Sequence, residues 1–132
     1  MTDTPISSLM TSPVRAVGMD DTVEAAQALM AQHGLSWAPV VDADGGPVGV
    51  IALHDLLHFH RERGDARDFH VWQICHYPPL SVSADTAASA VARQMVEQHI
   101  HHVVVMKDHA MMGVVSALDL LRHHLVGADG SP

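Results

Sequence analysis

The chain has 132 residues, 48% hydrophobic and only 4% aromatic, with eight methionines. A compact aliphatic core is therefore available and wholesale disorder is excluded. Seven Lys and Arg against fifteen Asp and Glu give a formal charge of -8, which repels phosphate backbones and sets general nucleic-acid binding aside. Protonating all twelve histidines would carry the charge to +4, but only in acid below the usual imidazole range. The single cysteine, Cys75, excludes an intramolecular disulfide framework. No apolar run approaches the ~18 residues of a membrane span, and Met1 to Pro5 carry no basic-then-apolar leader. A cytoplasmic protein without a membrane partner is expected.

In chain order, Arg15-Ala16-Val17 reads as a short extended lead-in. Asp21-Thr22 precedes Val23, Ala26, Leu29 and Met30, a helix start followed by an apolar face, and Gly34 ends that helix. Trp37 to Val41 and Val48 to Ile51 flank a Gly-rich turn, so two strands of a hairpin are expected. His54-Asp55-Leu56-Leu57 opens a second helix, with both leucines read as core. The charged stretch from Arg61 to Asp68 reads as a linker. The same series then recurs: a lead-in at Ser81-Val82-Ser83, a helix over Ala87 to Gln98, strands near His102 to Met106 and Met111 to Val115, and a helix over Ala117 to Leu125.

The recurrence is a sequence repeat. Pro13, Val17, Asp20 and Met30 match Pro78, Val82, Asp85 and Met95 at an offset of 65 residues. Gly49, Val50, Asp55, Leu56 and Leu57 match Gly113, Val114, Asp119, Leu120 and Leu121 at an offset of 64. One deletion in the hairpin loop, Asp44-Gly45-Gly46-Pro47 against Asp108-His109-Ala110, explains the change. We expect a first repeat over 6–63, a linker over 64–70 and a second repeat over 71–126. The expected fold is α+β: two pseudo-two-fold-related repeats in the order β-α-β-β-α, each a small three-stranded sheet with two main helices. A half of this size buries too little surface to stand alone, so the two should pack sheet to sheet around a cleft, a common place for a ligand.

The segment Gly113-Val114-Val115-Ser116-Ala117-Leu118-Asp119-Leu120 resembles the strand-to-helix signature of CBS domains. Leu9-Met10-Thr11-Ser12-Pro13-Val14, Met30 with His33-Gly34, and Ala38-Pro39-Val40-Val41-Asp42 are similar to the preceding CBS segments. The resemblance runs from about Ile6 to Val126 and implies a tandem pair, or Bateman module, that regulates and does not catalyse. It implies an adenosine nucleotide (AMP, ADP or ATP) as ligand, no catalytic cofactor, and a homodimer, with a separate effector protein as a further partner.

On that resemblance Ser116 would donate to phosphate at the start of a helix, and Asp119 would accept from the ribose hydroxyls. Read on spacing alone, Ser116 caps the helix and Asp119 suits its first turn. The adenine wall implied by the family maps to Val14, Arg15, Leu35, Ser36 and Trp37, while His101 and His102 would approach the phosphates or simply alternate along a strand. In the first repeat Ala52 replaces the hydroxyl, so a second, weaker site is expected around Asp55, with Pro79, Leu80 and Ile100 beside His101 and His102. Val104 also departs from the pattern, standing where the first repeat has Pro39.

Two rival readings remain open: a ligand-free dimerisation scaffold controlling a separate partner, and a metal-responsive regulator. His54 and His58 stand at i, i+4, a zinc-capable spacing, and His99 with His101 or His123 with His124 are further pairs. Against that, His58, His60, His70, His123 and His124 fall near expected helix ends or in the linker, where the dipole favours imidazolium; no metal ligand is assigned. Cys75 reads as a small buried apolar residue, Met111 and Met112 as hairpin and core, and Trp72 as an anchor for a neighbouring domain or subunit.

Overall fold

The computed structural model describes residues 4–62 and 64–126. Two compact units form, one from Arg15–Pro79 and one from Met1–Val14 with Leu80–Pro132. Each carries a three-stranded sheet and two principal helices, the expected α+β arrangement.

In the Arg15–Pro79 unit, β1 (Val17–Gly18) pairs in parallel with β2 (Trp37–Val41), which pairs antiparallel with β3 (Pro47–Ala52). The crossover from β1 to β2 is helix α1 (Val23–His33); the Thr22 side chain accepts from the Ala25 N–H at 3.1 Å, and Gly34 closes the helix at φ 62°. Helix α2 (Leu53–Glu62) follows β3 directly. Val23, Ala26, Met30, Val40, Ile51, Leu56 and Phe59 form the core. Leu57, expected in that core, is instead 70% exposed. It follows Leu56 by one residue, so the helical turn of about 100° carries it off the buried face.

The connection after α2 is no loose tether. Two first-turn amides of α1 donate into it, Val23 N–H to the Phe69 carbonyl (2.8 Å) and Glu24 N–H to the Ala66 carbonyl (3.0 Å). The start of a helix leaves such donors unpaired, and here the linker satisfies them. Phe69 meets Phe59 edge to face at 5.4 Å, and Val71, in a 3-10 turn over Val71–Gln73, is fully buried in the same core. Cys75 is half-buried at the edge of this core.

The other unit repeats the plan: β4 (Leu80–Ser83) parallel to β5 (His102–Lys107), and β5 antiparallel to β6 (Ala110–Ser116), with α3 (Ala88–Gln98) as crossover and α4 (Ala117–Val126) after β6. Its hairpin turns on Asp108 and His109, both at positive φ (51° and 65°), the conformation a tight two-residue hairpin demands. Met112, expected in the core, is 40% exposed on β6. The N-terminal segment belongs here. Ile6 is fully buried with Val82, Val91, Val103 and Val115; its N–H donates to the Thr86 carbonyl, and the Ala88 N–H donates to the Thr4 carbonyl, both at 2.7 Å.

Ile6 and Val71 stand 65 residues apart, at matching points of the repeat. Each is buried in the unit built on the other repeat's sheet. The compact units are therefore not the sequence repeats: each repeat sends its leading segment to complete the other's core.

Candidate functional site

The segment from Gly113 to Asp119 runs along β6 and turns into α4 at Ser116. Ser116 and Asp119 bond each other reciprocally across that turn. The Ser116 N–H donates to Asp119 Oδ2 at 2.9 Å, and the Asp119 N–H donates to Ser116 Oγ at 3.1 Å. This is a capping-box arrangement with Asp in the role usually taken by Glu or Gln. The capping reading and the ligand reading of these residues are compatible. With Oγ accepting from the backbone, the hydroxyl proton is left to donate. Asp119 is half-buried, and among the described residues its Oδ1 has no hydrogen-bond donor.

The start of β5 lies beside this turn. His102 pairs in register with Ser116, and the Ala117 N–H donates to the His101 carbonyl at 2.8 Å. His101 is exposed and His102 half-buried, their rings edge to face at 6.4 Å. Burial pushes the His102 imidazole down to about 4, with the neighbouring His101 adding to the effect and Asp119 opposing it. His102 is thus neutral near pH 7, a hydrogen-bonding group and not a cation. Ser116, Asp119, His101 and His102 are brought together on one unit, which also holds Val14, Leu80 and Ile100, all half-buried.

Arg15, Leu35, Ser36 and Trp37 belong to the Arg15–Pro79 unit. Ser36 occupies the place that His101 holds in the other unit: its carbonyl accepts from the Leu53 N–H, the first amide of α2, at 3.0 Å. Leu35 packs half-buried on the core, Trp37 pairs with Ala52, and exposed Arg15 reaches His33 at 3.4 Å. Asp55 and Pro79 lie in this unit too.

Asp55 matches Asp119 in the repeat but differs in its surroundings. It is 7% exposed, the one buried charged residue among those described. Its Oδ2 accepts from the Ala52 N–H at 2.8 Å, and its Oδ1 faces His76 Nε2 at 2.5 Å. A carboxylate only accepts, so Nε2 carries the proton. Both oxygens of Asp55 are engaged. The sequence reading did not single out His76 as a partner of Asp55; its one signal is that it stands 65 residues after Thr11, a histidine where the other repeat has a hydroxyl.

His54 and His58 are exposed on α2 and line an open groove of about 410 Å³ with Asp55, Phe59, Ile74 and His76. Among the described residues no three His, Cys, Asp or Glu side chains are grouped as a metal site. His60 bonds Gln27 at 2.5 Å and His70 bonds the Asp20 carbonyl at 2.9 Å, so these two serve the fold. No helix of the described residues is long and apolar enough to cross a membrane.

The CBS domain family model matches the chain twice, over residues 6–62 and 71–125. An uncharacterized protein of Methanocaldococcus jannaschii is 29% identical over 136 residues, 93% of this chain; the chain spans about a third (32%) of that relative's length. Among solved structures, the CBS domain of a CBS domain-containing membrane protein from Sphaerobacter thermophilus is 28% identical, with a TM-score of 0.78 over 89% of this chain and 86% of that one. The CBS domain of a bacterial CNNM/CorC family Mg2+ transporter, in complex with ATP, is 26% identical, with a TM-score of 0.83 over 98% of this chain and 89% of that one. With both repeats matched and the β-α-β-β-α plan realised twice, this chain belongs to the CBS domain family, as a tandem pair of CBS domains.

Proposed function

We propose that the chain is a regulatory module, not an enzyme, that binds an adenosine nucleotide (AMP, ADP or ATP) at Ser116 and Asp119. The observation that carries this reading is the divided use of the Asp119 carboxylate. Oδ2 holds the start of α4, while among the described residues no donor takes Oδ1, whose lone pairs are left for a ribose hydroxyl. Ser116 keeps a proton for a phosphate oxygen at a helix start, where the dipole favours an anion. Exposed His101 and neutral His102 flank the position as hydrogen-bonding groups. The likeness to a CBS domain held with ATP supports the ligand class.

A bound nucleotide regulates only by favouring one arrangement of the chain over another, and a separate effector protein is the further partner in this reading. The module works as a homodimer, and its lone cysteine fits a reducing compartment. Calorimetric titration with AMP, ADP and ATP tests the reading. Saturable binding is expected, weakened about tenfold or more by Asp119→Ala, since a hydrogen bond to a charged group is worth roughly 1.5–3 kcal/mol. No heat with any of the three would overturn it in favour of a ligand-free scaffold.

A further inference from the structure

Asp55 and Asp119 occupy the same place in the two repeats, yet among the described residues only Asp55 has both carboxylate oxygens engaged. The group that closes it is His76. The backbone of His76 is pinned to β3 by two hydrogen bonds with Val50, His76 N–H to the Val50 carbonyl at 2.9 Å and Val50 N–H to the His76 carbonyl at 3.0 Å. From that fixed base the imidazole reaches Asp55 Oδ1, while the ring itself remains 74% exposed. The matching position in the other unit is Thr11, pinned in the same way to Val114 at 2.8 and 3.1 Å. Among the described residues, Thr11 makes no bond to Asp119. The two backbones are alike at this point; the side chain differs.

We infer that His76 is an internal latch on Asp55, taking the hydrogen-bonding position a ribose hydroxyl would use and so limiting the chain to one nucleotide. The inference rests on the nucleotide reading of Asp119. Ala52 supplies no hydroxyl for a phosphate, so once His76 is removed the Asp55 carboxylate suits the diol of an uncharged nucleoside as well as that of a nucleotide.

The experiment is calorimetric titration with AMP and with adenosine of four proteins: wild type, His76→Thr (the residue at the matching position), Asp119→Ala, and the His76→Thr/Asp119→Ala double variant. Wild type should bind one equivalent of AMP per chain and His76→Thr two. The double variant should keep one equivalent that adenosine also fills, whereas Asp119→Ala alone should lose at least tenfold in affinity. His76→Ala carries the same expectation should the threonine variant fail to fold. One equivalent in wild type and in both His76 variants would overturn the latch and leave the nucleotide reading standing, as would two equivalents in wild type. Binding that appears only after His76 is replaced would support the latch and remove the Asp119 site. No binding by any of the proteins would overturn both.

Discussion

A side-chain carbon placed on Gly49 would stand 2.7 Å from the backbone carbonyl oxygen of His76. The glycine that opens the family signature is therefore required by the leading segment of the next repeat, which crosses β3 at this point and bonds Val50. Gly113 is crowded in the same way by the other leading segment, but by the flexible side chain of Met10, whose sulfur would lie 2.5 Å from the added carbon. A carbonyl pinned in a bridge cannot move aside as a methionine can. Gly49→Ala should cost about 1–3 kcal/mol, the range of overpacked cores, and Gly113→Ala less. Urea unfolding of the two variants checks the order; equal losses would mean that Met10 is as rigid as the bridge.

Ser116 caps α4 by accepting from the Asp119 N–H, and Ala52 cannot do the same for Asp55 at the start of α2. Removing a cap costs roughly 0.5–2 kcal/mol. Ser116→Ala should lose that much in the absence of nucleotide, and Ala52→Ser should gain up to a similar amount. Thermal unfolding of the ligand-free proteins measures both. A neutral Ala52→Ser would show that the hydrogen bonds of buried Asp55, from the Ala52 N–H and from His76, already fix the turn.

The repeat, its β-α-β-β-α order and the helix and strand positions are legible in the sequence because they rest on local signals: apolar periodicity, Thr22 before a helix, Gly34 after one. What escapes is tertiary. The deep burial of Ile6 in the unit of the second repeat is a long-range exchange that no local pattern records. His99 shows the limit at one residue. It stands 65 positions after Gly34 and closes α3 in the same left-handed conformation (φ 55°), yet histidine carries no such signal. At the candidate site, Ser116 and Asp119 were marked by the motif, whereas the closure of Asp55 depends on where His76 falls in space. The left-handed conformation also predicts an outcome: His99→Gly should raise stability, by about 1 kcal/mol on the usual cost of that conformation for an L-residue.

His102 makes the stability of the ligand-free protein sensitive to acid. In the unfolded chain its imidazole titrates near 6.5, and in the fold burial lowers it to about 4. Between those values the unfolded state holds the extra proton, so stability falls as the pH drops from about 6.5 to about 4 and is fully present above that window. His101 strengthens the effect and Asp119 weakens it. Urea midpoints across this range should decline less steeply for His102→Gln than for wild type. Parallel slopes would mean that water reaches the His102 ring in the folded protein.

Three helices carry apolar side chains that their own units leave uncovered: Leu53 and Leu57 on α2, Val96 on α3, and Leu118 and Leu121 on α4. Val96 on α3 and Leu121 on α4 join Ala92, Met95 and Leu120 in one apolar groove, about 230 Å³ in volume. Val96 at 75% exposed is the extreme case, an apolar residue standing in water on a helix whose neighbouring turns are charged. Burying apolar surface contributes about 25 cal/mol per Å², so covering this face by a second copy offsets part of the cost of association. For the proposed homodimer, Val96→Glu with Leu121→Glu should give monomer in light scattering behind size exclusion while the circular dichroism spectrum is retained, because neither side chain belongs to the buried core. A dimer that survives both charges must use a different face, and Leu53 and Leu57 on α2 are then the positions to charge.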